Sequence, residues 1–158
     1  MKWRLELVQV PVTDLDRAKS FYRDQLGFTE DFDTRFGDGD EEWVARNEPY
    51  VARMVQLTPP GSACSIALVT GQVPGPALEG MEPGSLSGLL IVVPDINAAR
   101  AKLIENGVDV SDVMEVAHAG GRSVYRAVTG EPDGWNAYAF FNDPDGNGWV
   151  LQQSPEDR

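Results

Sequence analysis

Cysteine and histidine are almost missing from these 158 residues: there is one of each, Cys64 and His118. A lone cysteine cannot form an internal disulfide, so the fold does not depend on an oxidising compartment. A lone imidazole leaves little for a metal centre built on nitrogen ligands. Basic residues are scarce as well, with 13 Lys and Arg against 25 Asp and Glu, a formal net charge of −12 and no basic run. Phosphate backbones reward Lys/Arg clusters through counterion release, which removes nucleic acid as a partner. A field of this sign would steer a cationic ligand inward, although its simpler role is to keep a soluble protein soluble.

Long apolar runs are absent too. No stretch approaches the roughly 20 residues of a membrane span. The N-terminal MKWRLELVQVPV has neither the apolar core nor the small-residue cleavage site of a signal peptide. The chain therefore reads as a soluble, cytoplasmic protein with no membrane partner. No GxGxxG follows a strand, and neither GxxxxGK with Ser or Thr nor GxSxG occurs, so the common nucleotide and serine-hydrolase signatures are missing.

What is present is ordered. A 42% hydrophobic and 24% charged composition excludes wholesale disorder. Residues 5–12 alternate with apolar side chains on both faces, which suggests a covered strand. Thr13-Asp14 offers a helix N-cap, and Leu15, Ala18, Phe21, Tyr22 and Leu26 follow at helical spacing up to Gly27. Strands are predicted over Phe28–Arg35, Tyr50–Thr58 and Ser62–Thr70, with an acidic loop at 36–42 and a Pro59-Pro60-Gly61 turn. Gly71–Ser87 holds four Gly and three Pro and reads as a linker. The pattern then restarts with Leu89–Val93, a helix capped by Asp95 and ended by Gly107, and strands at Val108–Val116, Ser123–Val128, Tyr138–Phe141 and Gly148–Gln152.

This is an internal repeat. Asp14-Leu15-Asp16-x-Ala18 aligns with Asp95-Ile96-Asn97-x-Ala99, so residues 1–70 and 88–158 are expected to be two βαβββ modules around the 71–87 linker. Each is too small to cover its own sheet, so the two should pack together.

The strings VPVTDLDRAKSFYRDQLGF, LLIVVPDINAARAKLIENGV and FFNDPDGNGWVLQ together resemble the vicinal oxygen chelate superfamily, which includes glyoxalases, bleomycin-resistance proteins and extradiol dioxygenases. The resemblance implies an α+β fold of two βαβββ modules forming an open eight-stranded mixed sheet with a cleft and helices on the outer face. It also implies a divalent metal in the enzymes, a metal-free drug site in the bleomycin-resistance group, and often a homodimer.

Carried over position by position, the four metal ligands of the enzymes fall on Leu7, Ala67, Gly88 and Val150. None has a coordinating side chain. A slip of one residue would turn Glu6 to the opposite sheet face, and His118 is expected in a loop away from all four positions. Asp143-Pro144-Asp145-Gly146-Asn147 superficially resembles a calcium loop but lacks its twelfth-position Glu, and turn chemistry accounts for it. Asp38, Asp40, Glu41 and Glu42 read as a solvated acidic loop. A Cys64–His118 dyad is disfavoured, because a lone cysteine in a strand is usually a small buried apolar residue.

With Leu7 turned to the cleft, strand parity brings Leu5 and Gln9 with it, Leu90 and Val92 with Gly88, and Gly148 and Gln152 with Val150. The candidate cleft residues are Leu7, Gln9, Trp43, Gln56, Gly88, Tyr138, Phe140, Val150 and Gln152, with Tyr50, Trp135 and Trp149 as further rim aromatics. A mostly apolar wall with a few amides suits a small organic ligand, aromatic or cationic, better than a hydrated ion. The sequence thus points to a small-molecule binding protein without metal or other cofactor. The alternatives are a metal-dependent enzyme of the superfamily and a metal-independent enzyme using cleft acids, Tyr138 or His118.

Overall fold

The computed structural model describes residues 1–35, 53–70, 81–128 and 130–154. Trp43, Tyr50, the acidic loop and residues 71–80 of the expected linker lie outside them.

The chain runs β1 (Leu7–Pro11), α1 (Leu15–Ser20), β2 (Thr29–Arg35), β3 (Arg53–Thr58) and β4 (Ser65–Val69). It continues with β5 (Ser87–Val93), α2 (Ile96–Glu105), β6 (Met114–Ala119), β7 (Arg122–Ala127), β8 (Tyr138–Asn142) and β9 (Gly148–Gln153). One sheet has the order β1-β4-β3-β2 and the other β5-β9-β8-β6-β7. In each, the first strand lies parallel to the last, and the other pairings are antiparallel. The α+β plan expected from the repeat is therefore present, with one addition. The second sheet carries a fifth strand, outside the βαβββ pattern and at the expected Ser123–Val128 position, making nine among the described residues.

The helix starts repeat as well. Asp14 accepts a hydrogen bond from the Arg17 amide at 3.0 Å, and Asp95 accepts one from the Ala98 amide at 2.9 Å, each cap in the same extended conformation. After Ser20 the first helix widens into a π-helical turn, Phe21–Gln25, closed by the Leu26 amide donating to the Phe21 carbonyl.

Two expected elements differ. Val108–Val116 is extended only from Met114 onward, and before it Val110 makes a single bridge to Phe141. Ser111 explains this: its amide donates to the Phe140 carbonyl, its hydroxyl accepts from the Phe140 amide, and its carbonyl accepts from Arg100. Those local bonds satisfy the backbone without a continuous ladder. His118 stands in β6, opposite Ser123, rather than in a loop. The loop shrinks to Gly120-Gly121, both at positive φ, because a two-residue hairpin turn matching the strand twist needs that geometry.

Contacts divide the chain into two compact units. The first holds Met1–Leu86 together with Asp143–Asn147, and the second holds Ser87–Asn142 and Gly148–Arg158. In the first, Leu15, Ala18, Phe21 and Tyr22 are buried with Val10, Val55, Leu57, Ile66 and Leu68. Removing such aliphatic and aromatic surface from water is the main favourable contribution to this packing. In the second, Ile96 and Leu103 of α2 are buried with Ala139, Phe141, Trp149 and Leu151.

An ion-pair network ties α1 to β2 and β3. Asp33 accepts from Arg53 Nε at 2.7 Å, Arg53 Nη2 at 2.6 Å and Lys19 Nζ at 2.8 Å, while Arg53 also meets Asp16 and Lys19 also meets Glu30. The Arg53 guanidinium, with help from Lys19, holds the Asp33 carboxyl well below the usual carboxylate range. A depressed carboxylate contributes stability that is complete above its unfolded pKa of about 4 and is lost as pH falls toward the folded value. Asp33→Asn is therefore expected to cost about 2 kcal/mol at pH 7. In urea titrations the gap between wild type and variant should narrow steadily as the pH drops below about 4.

Candidate ligand-binding face

In the second sheet, strand alternation sorts side chains cleanly. Ala139, Phe141, Trp149 and Leu151 are buried on the face α2 covers, with Phe141 and Trp149 stacked at 6.1 Å. Trp149, expected at the rim, is thus a core residue. Its neighbour Val150 lies on the opposite face, and an extended strand cannot send both the same way.

That opposite face carries Tyr138 and Phe140 of β8, Val150 and Gln152 of β9, Leu90 and Val92 of β5, Met114 and Val116 of β6, and Tyr125 of β7. The register joins them in rows, Leu90–Val150–Phe140 and Val92–Gln152–Tyr138–Met114, with Tyr125 opposite Val116. Leu90, Val92 and Tyr125 are 50%, 46% and 54% exposed, far above a packed core. Tyr125 packs edge-on against Tyr138 at 5.7 Å and Phe140 at 5.2 Å. Gln152 Nε2 donates to the Trp135 carbonyl at 2.9 Å and to the Tyr138 hydroxyl at 3.1 Å. Gly88 is the extra residue of a bulge between Ser87 and Leu89, so Ser87 occupies the paired position beside Gly148.

In the first sheet, Gln9, Ala67, Gln56 and Phe32 form one cross-strand row, and Leu7 lies opposite Ser65 on the same face. Gln56 and Thr58 donate to Asp31 at 3.1 and 2.6 Å, and Thr58 meets Ser65 at 2.6 Å. This face is more polar than that of the second sheet, and its carboxylate is already engaged.

The structure therefore gathers Tyr138, Phe140, Val150 and Gln152 on one face and Leu7, Gln9 and Gln56 on another. Trp43 falls outside the described residues. Tyr125 was not among the expected aromatics. Its signal was the Gly120-Gly121 hairpin turn, which sets Val116 opposite Tyr125.

A metal does not fit the expected donor set. Leu7 and Val150 project hydrocarbon, Ala67 a methyl group, and Gly88 nothing. Among the described residues no group of three or more His, Cys, Asp or Glu side chains could hold an ion. Cys64 lies just before β4, and its half-buried thiol is pushed up by burial and by the charge of Glu6. That is the reverse of an activated nucleophile.

A family model described as Glyoxalase/Bleomycin resistance protein/Dioxygenase superfamily matches residues 4–151. The chain belongs to this superfamily. Among solved structures it resembles TnmS3, an antibiotic binding protein from Streptomyces sp. CB03234, at 30% identity over 97% of both chains with a TM-score of 0.64. It also resembles a glyoxalase/bleomycin resistance protein from the same strain, at 31% identity over 95% of this chain and 100% of that one, TM-score 0.61. A superfamily member from Sphaerobacter thermophilus DSM 20745 follows at 25% identity over 97% and 98%, TM-score 0.63. No curated protein matches the chain. As a superfamily member, the chain has its fold assigned but not its chemistry, because members of one fold differ in what their sites do. No described helix is long and apolar enough to cross a membrane.

Proposed function

We propose that this superfamily member is a small-molecule binding protein that takes up an antibiotic or metabolite without a metal, using the apolar aromatic face of the second sheet. The observation that carries the reading is the chemistry of the donor set that the family resemblance implies: Leu7, Ala67, Gly88 and Val150 have no side chain able to coordinate an ion. In place of ligands, the face offers exposed aliphatic and aromatic surface with a few fixed polar groups, the usual make-up of an organic ligand site. The likeness to TnmS3, described as an antibiotic binding protein, supports the same direction.

The test is a titration of purified protein with a panel of natural-product antibiotics, followed by thermal shift and tryptophan fluorescence, alongside elemental analysis. Saturable binding by metal-free protein, with a higher unfolding midpoint that depends on ligand concentration, is the expected result. Stoichiometric Ni, Zn, Mn or Fe together with a lyase or dioxygenase activity lost on chelation would overturn it.

A further inference from the structure

We infer that the compound held on this face is a neutral, flat arene carrying a hydrogen-bond donor and acceptor side by side, and that Tyr125 is a specificity-determining contact for it. The inference rests on the small-molecule reading above and narrows it.

The polar pattern follows from counting protons. A backbone carbonyl only accepts, so the bond from Gln152 to Trp135 fixes which end of the amide is nitrogen. Both Nε2 protons are then committed, one to the Trp135 carbonyl and one to the Tyr138 oxygen. The Tyr138 hydroxyl accepts in that bond, and among the described residues no hydrogen bond takes up its own proton. Gln152 Oε1, on the same amide, likewise accepts from none of the described residues. Two neighbouring groups of opposite sense are thus pre-positioned on a half-buried row. A ligand matching both avoids leaving either unpaired, which makes such a pair discriminating.

The aromatic pattern follows from the rings. Tyr125 stands at 78° to Tyr138 and 82° to Phe140. Two roughly perpendicular ring planes form a corner in which a flat ligand stacks on one wall and meets the other edge-on. Among the described residues the first sheet shows no strand corresponding to β7, and Tyr125 of β7 supplies this wall in the second sheet.

The charge pattern decides between the aromatic and cationic options. Leu90, Val92, Met114, Val116, Tyr125, Tyr138, Phe140, Val150 and Gln152 carry no formal charge. Glu115 alternates to the other face and is paired with Arg126 at 2.6 Å. His118, two positions beyond Val116, shares a hydrogen bond with Ser123. A cation on these rows would lose hydration without meeting a carboxylate among the described side chains that form them, and that is costly.

2-Quinolone is a suitable probe, being a planar bicycle with adjacent N–H and C=O. N-Methyl-2-quinolone keeps only the acceptor, and N-methylquinolinium is flat but cationic. Ligand-observed NMR titrations of the whole chain should show 2-quinolone binding about tenfold more tightly than either analogue. Tyr125→Ala and Tyr138→Phe should each weaken 2-quinolone about tenfold, while Tyr125→Phe retains affinity. Tyr125 is largely exposed, so unchanged circular dichroism and urea midpoint should accompany its loss. No binding of 2-quinolone, equal or tighter binding of the quinolinium, or unchanged affinity in Tyr125→Ala would overturn the inference. So would a second copy of the chain covering this face, seen as a dimer that Tyr125→Ala dissociates. Binding in the antibiotic panel would leave the broader reading standing in each case.

Discussion

Replacing Asp143 with alanine is expected to cost about 3–5 kcal/mol, as much as a large core truncation. Asp143 is 5% exposed and accepts four hydrogen bonds. They come from the Tyr22 hydroxyl at 2.8 Å, the Asn147 amide at 2.8 Å, Asn147 Nδ2 at 2.8 Å and the Asp145 amide at 2.9 Å. Alanine would strand all four donors, most of them where water cannot reach. Tyr22→Phe removes one donor together with its need and should cost only about 1–2 kcal/mol. The double variant should fall well short of the sum, because both changes break the same bond. Urea unfolding of the two single variants and the double variant measures this. A cost below about 1 kcal/mol for Asp143→Ala would show that the turn does not hold the first unit together.

Gly84→Ala is expected to be nearly as damaging, about 3 kcal/mol or more. A Cβ built on Gly84 would lie 2.1 Å from the Asp145 carbonyl oxygen, so one backbone must move. Gly61 is the control: its φ of +78° matches the +79° of Gly84, but nothing lies within 4 Å of its added Cβ. Gly61→Ala should therefore show only the conformational penalty, about 1–2 kcal/mol. The difference between the two alanine variants isolates the clash, and equal losses would contradict the close approach.

Both predictions concern a segment that sequence patterns describe only halfway. DPDGN was legible as a turn, since Asp, Pro, Gly and Asn each favour one locally. Its role as a hub was not. Asn147 Nδ2 donates to the Pro11 carbonyl, and Asp145 accepts from Thr13 and Arg17, across separations of 128 to 136 residues. Local propensity carries no information about such partners. By contrast, the Asp14 and Asp95 caps were readable because a cap acts within four residues. Strand parity correctly put Val150 and Gln152 on one face, and applied once more it would have sent Trp149 to the core. Tyr125 escaped although its strand was expected over Ser123–Val128, because alternation within that strand does not say which of its faces meets Tyr138 and Phe140. The Gly88 bulge was likewise invisible, because alternation assumes an unbroken ladder.

The turn also imposes an order in time. The first unit comprises Met1–Leu86, yet it borrows Asp143–Asn147. Asn147 is 61 residues downstream of Leu86, about 3–12 s of ribosomal synthesis. Until then the nascent first half carries a Tyr22 hydroxyl and a Pro11 carbonyl that await their partners. Those polar contacts close only after the second unit's strands up to β8 have been made, so the N-terminal half is the part most dependent on protection while translation continues.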